Sequence, residues 1–524
     1  MRTLAADGVD DGAAPAAAGR STSTPAWLVP LAIGAVVAVG VVARFVQRSP
    51  LWLDEALSVN IASLPLGDMF EALRHDGHPP FYYLVLHAWM SAFGEGDGAV
   101  RALSGIFAVA ALPLTWIAGR RIAGPSGARW ALAVAALSPY LIRYATETRM
   151  YSMVMLLVLA GYLVLTDALD EPRPARLAAL TLISGVLLLS HYWSFYLLGA
   201  VGLMLAFRWW RSPLQRAATG RVLLAVAGGG VLFLPWLGGF LYQSQNTGTP
   251  WGEPYRPTAI AQATLSDLGG GTLTESSLAA LVVALFLALA LFAARSGGRE
   301  ITLDVRTVPI VRRELIVIGL VLAIGCVAGF ATNATYQSRY AAVFVPLLLL
   351  AVAVGITRIP GAARVVAGGA YLVLAVAGVG WVNYYQRTQA GEVGDAVAEH
   401  AQPGDVVVYC PDQLGPDYSR AMPDGLGLTE LAYPALTGPE RVDWVDYAER
   451  SEAADPVRIA EEIRRRAGDR AIFLVWMSDY LTLDEQCEEL LTALGPANSL
   501  VVQDNAKFYE PAFLHWVPAP GAAS

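Results

Sequence analysis

Apolar runs of about 20 residues recur from Trp27 to Tyr385 with short polar connectors between them, and each can cross roughly 30 Å of hydrocarbon. The pattern predicts spans near 27–46, 100–118, 128–142, 151–168, 177–190, 194–208, 220–237, 278–295, 314–331, 340–356 and 365–385, eleven in all. Arginine-rich connectors at 119–129, 170–176, 208–216, 295–313 and 357–364 go to the cytoplasm under the positive-inside rule. The connectors 47–99, 143–149, 191–193, 238–277 and 332–339 then face outward, with everything after Tyr385. The stretch HPPFYYLVLHAWMSAF (78–93) opens with His-Pro-Pro and is short for a crossing. Counted as a span it would invert the charge pattern, so it is expected to lie in or dip into the outer interface. Leu57, Ile61 and Leu64 predict a second, amphipathic interfacial helix in the same first outer loop, 47–99.

Past Tyr385 the period changes. PGDVVVYC and RAIFLVWM have the pattern of buried strands, and PVRIAEEIRRRAG and LDEQCEELLTALG that of amphipathic helices. The last segment, NSLVVQDNAKFYEPAFLHWVPA, predicts one or two strands. Alternating strands and helices predict a small extracytoplasmic α/β domain over 389–524, after a membrane domain over 27–388. Residues 1–26, rich in Ala, Gly, Ser and Thr, are expected to form a disordered cytoplasmic tail.

Composition agrees with this division. Of 524 residues 55% are hydrophobic and 15% charged, against roughly 25% charged in soluble domains. The chain is therefore a polytopic α-helical membrane protein. Its net charge of −8 and the lack of a basic domain argue against nucleic acid as a partner. Arginine carries nearly all the positive charge, Lys507 being the single lysine, a bias typical of a GC-rich bacterial genome. Cys326, Cys410 and Cys487 show no CxxC spacing. An outward tail permits a Cys410–Cys487 disulfide, with two separate thiols as the alternative.

Candidate chemistry gathers on the outer face. SPLWLDEALSVN (49–60) places Asp54 and Glu55 just beyond the first span, with Asp54 expected at a helix N-cap and Glu55 in the first turn. Side chains about 100° apart on a helix cannot both face a substrate. One is expected to act and the other to hold the loop. HDGHPPFYY (75–83) compresses His75, Asp76, His78 and Tyr82 before an apolar run. His75, His78 and Asp54 are candidate ligands of a divalent metal, although no HxxxH or HExxH spacing supports them. SPYLIRYATETRMYS (138–152) supplies Arg143, Glu147, Arg149 and Tyr151, with an Arg143–Glu147 i,i+4 pair as the simple alternative to function. Arg339 and Tyr340 open a later span, where a guanidinium fork matches phosphate or snorkels to headgroups. The outer loop 235–256 brings Gln243 and Trp251, suited to hydroxyl recognition and sugar packing or to anchoring in the interface. In the tail, CPDQLGPDYSR (410–420) is either a sugar site or a turn cluster.

Five motifs in order, WLDEA (52–56), HPPFYYLVLHAWMSAFGEGDGAVRALS (78–104), SPYLIRYATETRMYS, PWL (235–237) and SRYAAVFVPLLLL (338–350), carry a resemblance over about 27–385. The chain resembles the GT-C class of membrane glycosyltransferases, in the branch of protein O-mannosyltransferases and lipid A aminoarabinose transferases. By composition, actinobacterial cell-wall members of the class are the nearest type. The resemblance implies inverting transfer of a monosaccharide such as mannose or arabinose from a polyprenyl-phosphate donor at the outer face of the plasma membrane. The acceptor, a cell-wall glycan, lipid or protein, stays open, because the α/β tail departs from both branches. By position Asp54 would be the catalytic carboxylate with Glu55 supporting it, and Arg101, Arg143, Arg149 and Arg339 with Tyr340 would lie where relatives bind donor phosphate. His75, His78, Tyr82, Tyr151, His191, Gln243 and Trp251 are the substrate-binding candidates. A lipid-linked sugar transporter or flippase is the competing class. It would place polar groups near the midplane, whereas here they cluster at one face.

Overall fold

The computed structural model describes residues 27–271, 273–297, 300–478, 480–483, 485–495 and 498–519. The expected tail over 1–26 lies outside them. The first apolar run is α1 (Leu28–Ala43), and the loop after it folds into α2 (Leu53–Ala62), α3 (Leu66–Asp76) and α4 (Phe81–Phe93). The bundle continues with α5 (Asp97–Ala136), α6 (Pro139–Ala145), α7 (Tyr151–Asp170), α8 (Pro174–Leu188), α9 (Trp193–Arg211) and α10 (Arg216–Phe233). Then come α11 (Leu237–Asn246), α12 (Pro257–Leu268), α13 (Thr274–Phe292), α14 (Arg312–Thr332), α15 (Val345–Thr357) and α16 (Gly361–Tyr384).

Among the described residues six helical stretches are long and apolar enough to cross a membrane, including Asp97–Ala136 and Pro213–Asn246, and α1, α8 and α15 are shorter apolar helices. Each predicted span falls on a helix, with the pair 100–118 and 128–142 both meeting α5. The reason is Gly124, whose φ of +64° breaks α5 just before Pro125. The chain doubles back there, so that a Cβ on Gly119 would meet the Gly127 carbonyl at 2.8 Å.

α15 is buried from Val345 to Ile356 and packs against α5, α13 and α14, which makes it the axis of the bundle. A helix apolar on every side can only be interior or lipid-facing. Gly355 lets α15 lie against the Phe286 carbonyl of α13, where any Cβ would overlap backbone. The connector after α13 departs from expectation: β1 (Ala293–Gly297) and β2 (Glu300–Leu303) form an antiparallel hairpin inside the arginine-rich stretch.

Beyond α16 the C-terminal unit contains β3 (Gln386–Thr388), α17 (Ala390–His400), β4 (Val406–Cys410), α18 (Gly415–Arg420) and β5 (Thr429–Ala432). It ends with α19 (Tyr447–Glu452), α20 (Pro456–Ala467), β6 (Ile472–Trp476), α21 (Gln486–Leu494), β7 (Ser499–Val502), β8 (Phe508–Glu510) and β9 (Phe513–Val517). The final segment thus makes three strands, because Pro511 separates β8 from β9. A mixed sheet runs β5-β4-β6-β9-β7, with β4 parallel to β5 and β6 and β9 antiparallel to its neighbours. Period-two alternation divides β4 between two layers. Val406, Val408 and Cys410 face α20 and α21, whereas Val407 and Tyr409 face α17 and α18.

A disulfide joins Cys410 on β4 to Cys487 on α21, closing a chain segment of 77 residues. Cross-linking a loop of that length is worth about 4 kcal/mol in chain-entropy terms. Replacing both cysteines by serine is expected to lower the thermal midpoint of the C-terminal unit in non-reducing buffer. An unchanged midpoint contradicts the cross-link.

Candidate active site

Glu55 is the best-buried carboxylate of the first loop, and its partners come from every side. Arg101 on α5 grips it with two bonds, Nε to Oε1 at 2.8 Å and Nη2 to Oε2 at 2.6 Å. The backbone N–H of Thr148 donates to Oε1 at 2.9 Å, and Nη1 of Arg387 in β3 lies 3.4 Å from Oε2. Burial by itself raises the Glu55 carboxyl, yet the Arg101 and Arg387 guanidiniums and the Thr148 N–H outweigh it and hold the group below the usual carboxylate range. Arg101 also donates to the carbonyls of Ser49 and Pro50, and Arg387 to the carbonyls of Thr146 and Arg143. The knot pins the start of the first loop, α5, the 143–149 segment and the C-terminal unit to one point.

Asp54, one residue earlier, turns the other way. Its Oδ2 accepts from Nη1 of Arg339 at 2.6 Å, and both side chains are 16% exposed. The Arg339 guanidinium lies over three rings, Trp52, Trp251 and Tyr340, at 5.7, 5.8 and 5.9 Å from their centroids. Arg143 holds Asp267 only loosely, at 3.4 Å, and is 30% exposed, which makes it the least committed cation of the site. Asp267 itself bridges the segments through Tyr144 at 3.1 Å and Ser338 at 2.8 Å.

Behind Asp54 runs a buried polar chain. Nη2 of Arg149 donates to Nε2 of His78 at 2.7 Å, so Nδ1 of His78 carries the proton and donates to Asp76 at 2.7 Å. Tyr83 donates to the same Asp76 oxygen at 2.9 Å, and Nη1 of Arg149 donates to Ser58 at 2.8 Å. His191 packs between Tyr151 and Tyr340 at 5.8 and 5.6 Å. Burial, helped by His78, Arg149 and Arg339, pulls its imidazole down to about 3, so it is neutral.

The site therefore sets one half-open carboxylate beside two half-open arginines and an aromatic wall, on a buried ionic base. Residues 77–237 match the model of the dolichyl-phosphate-mannose-protein mannosyltransferase family. No curated protein matches the chain in the sequence comparison. Among solved structures, ArnT from Cupriavidus metallidurans bound to undecaprenyl phosphate superposes with a TM-score of 0.58 at 13% identity, over 96% of this chain and 100% of that one. This is the GT-C glycosyltransferase fold. The apo form of the same ArnT gives 0.44 at 15% identity, covering 93% and 98% of the two chains. An Archaeoglobus fulgidus oligosaccharyltransferase tethered to an acceptor peptide gives 0.45 at 12%, covering 89% and 72%. With the family match, the protein is a membrane glycosyltransferase.

On the GT-C fold the predicted residues separate. Asp54, Arg143, Arg339, Tyr340 and Trp251 meet at the site. Asp54 is not the N-cap, however; that position is Trp52, and Asp54 lies in the first turn. Glu55 and Arg101 are spent on one another inside the knot, which removes both from substrate. Arg149 is 2% exposed with both terminal nitrogens occupied, so it supports the site instead of offering a phosphate fork. Tyr82 and Tyr151 are buried and His191 is wedged between rings, so all three line the interior. Gln243 donates to the Leu73 carbonyl at 2.6 Å and accepts from Tyr192, strapping α11 to α3. His75 faces the C-terminal unit, with Nδ1 2.9 Å from Asp443. The metal trio does not converge: Asp54, His75 and His78 each hold a different partner, and among the described residues no three such groups meet. In the tail, Asp412 accepts from Tyr447 at 2.7 Å and Asp417 from Thr388 at 2.6 Å, so that segment is a turn cluster.

Arg387 and Asp267 were not singled out by motif, whereas Glu147 was, as a partner for Arg143. Arg143 turns to Asp267, leaving the expected Arg143–Glu147 pair unformed. Glu147 is 1% exposed, and its Oε1 has no hydrogen-bond partner among the described residues. Burial pushes its carboxyl up to about 6; Arg387 and Arg143 oppose this, and Glu55 and Asp54 add to it. A raised acid favours the folded state when protonated. Its contribution is complete below the ordinary value of 4.5 and is lost as pH rises through about 6. Glu147→Gln is therefore expected to stabilise the protein by about 2 kcal/mol at pH 8 and by nothing at pH 4. Thermal midpoints at the two pH values check it, and equal shifts at both contradict it.

Proposed function

We propose that this glycosyltransferase moves a monosaccharide from a polyprenyl-phosphate donor to a hydroxyl acceptor at the outer face of the plasma membrane, with inversion. The observation that carries the assignment is the partly exposed Asp54–Arg339 pair, linked through Trp52 and Tyr509 to the loosely held Arg143, which gathers a carboxylate and phosphate-matching cations around one aromatic pair. The donor class is supported by the family match and by the fold shared with an ArnT bound to undecaprenyl phosphate. The outward orientation is supported by the arginine-rich connectors at the opposite ends of the spans and by a disulfide in the C-terminal unit, which suits an oxidising compartment. On the same grounds residues 27–388 form the transferase domain, and 389–524 an extracytoplasmic domain.

The chemistry follows from charge. The acceptor hydroxyl gives its proton to Asp54 as its oxygen bonds to the anomeric carbon. The bond from that carbon to the phosphate oxygen breaks, and polyprenyl phosphate leaves with the electron pair. A phosphate leaving group needs no general acid. It needs positive charge where negative charge grows, fixed in advance in a site that water enters poorly. Arg339 and Arg143 supply it without titrating. Arg339 serves both partners: in the free enzyme it holds Asp54, and an arriving donor phosphate draws it away and frees the carboxylate for the acceptor hydroxyl. Mannose, arabinose or a similar sugar fits this chemistry, as does a cell-wall glycan, lipid or protein as acceptor.

An aligned base is worth about 10² to 10⁴ in rate. Asp54→Asn is expected to lower release of polyprenyl phosphate from a sugar donor at least a hundredfold by that measure, while the donor still binds. Retention of more than about a tenth of wild-type turnover contradicts the assignment. Arg143→Gln is expected to weaken donor binding about tenfold or more, whereas Arg101→Gln is expected to lower the folded yield instead.

A further inference from the structure

The ribbon that ties the C-terminal unit to the membrane part ends at the pocket. β8 runs parallel to β3, with Gln386 opposite Phe508 and Thr388 opposite Glu510. Oε2 of Glu510 accepts from the Leu53 N–H at 3.2 Å, at the very start of the helix that carries Asp54. That helix has no side-chain cap of its own at Trp52, so a carboxylate from 457 residues away meets its free N–H groups. The strand end is fixed from behind, where Tyr418 donates to the Glu510 carbonyl at 3.1 Å.

Tyr509 projects from the same strand. Its ring meets Trp52 edge to face, with centroids 5.5 Å apart, and the Arg143 guanidinium lies 5.9 Å from its centroid. Trp52 is also one of the rings under Arg339. Tyr509 thus stands among the cations assigned to the donor phosphate, yet 48% of it is exposed. A half-open aromatic ring placed there has room for one more neighbour. The sugar is that neighbour, because its anomeric carbon is bonded to the phosphate itself. The C–H face of a sugar ring, weakly positive at its edge, packs on the negative face of an aromatic ring.

We propose that the C-terminal unit is a working part of the active site: Tyr509 is the platform for the donor's sugar ring, and Glu510 is a positioning residue that holds the first turn of α2 and with it Asp54. This rests on the polyprenyl-phosphate donor proposed above.

The test uses the full chain in lipid nanodiscs, with binding of a polyprenyl-phosphate sugar and of sugar-free polyprenyl phosphate followed by tryptophan fluorescence. Tyr509→Ala is expected to weaken the sugar-bearing lipid about tenfold and the sugar-free lipid less than about twofold, and Tyr509→Phe to change neither. Equal weakening of both lipids, or of neither, overturns the platform. Wild type that binds neither lipid removes the donor assignment and this inference with it, a pattern no Tyr509 variant can imitate. For Glu510, kcat and KM are separated. Glu510→Ala is expected to lower kcat about tenfold at nearly constant KM, and Glu510→Gln, which keeps an oxygen for the Leu53 N–H, to restore most of it. A glutamine variant as slow as the alanine one, or an alanine variant as fast as wild type, overturns the positioning role.

Discussion

The bond between Glu55 and Arg101 is the contact on which the remainder of the site depends. A carboxylate with no exposed surface is tolerable only if its charge and lone pairs are met, and the two guanidiniums and one backbone N–H meet them. The partners lie on α5, on the 143–149 segment and on β3, so satisfying one buried charge fixes three otherwise separate elements around α2. Breaking such a pair from one side costs about 3–5 kcal/mol, because the remaining charge is stranded. Asp54 inherits its direction from this arrangement. On a helix whose next residue is locked inward, its own side chain turns about 100° away, to Arg339.

The arginines around α2 show how a single residue type is divided among tasks by its partners. Arg101 and Arg387 neutralise Glu55, and Arg149 is consumed by Ser58 and the His78–Asp76 pair. Of these five described arginines, Arg339 and Arg143 keep the most surface. The first holds Asp54 and the second is loosely attached to Asp267. Guanidinium charge without exposure acts as structure, whereas the same charge at a half-open edge is available to a developing anion. Charge fixed in advance in this way is the form of stabilisation that requires least rearrangement during a reaction.

The membrane helices were legible in the sequence because hydrocarbon tolerates only continuous apolar, internally bonded segments. The placement of Asp54 at the start of a helix just past the first span was legible as well. The assignment of arginines was not, since Arg101, Arg143, Arg149 and Arg339 share one kind of setting and differ only in partners. Arg101 and Glu55 are 46 residues apart and Arg339 and Asp54 are 285 apart, separations that no local pattern encodes. Gln243 and His75 misled for a related reason: polar side chains in an outer loop suit hydroxyl recognition, but here they satisfy a backbone carbonyl and a carboxylate of the fold. The Gly124 break and the hairpin after α13 lay in connectors where polarity marks a turn without giving its shape. Tyr509 and Glu510 were hidden most deeply, because the strand bearing them belongs to the C-terminal unit and reaches the pocket only through its pairing with β3.

The most direct measurement is a cryo-EM structure of the protein in nanodiscs with polyprenyl phosphate bound. The account predicts phosphate density between the guanidiniums of Arg339 and Arg143, with Arg339 drawn off Asp54 and the Glu55–Arg101 bond unchanged. Phosphate bound away from both arginines, with the Asp54–Arg339 pair still closed, would contradict it.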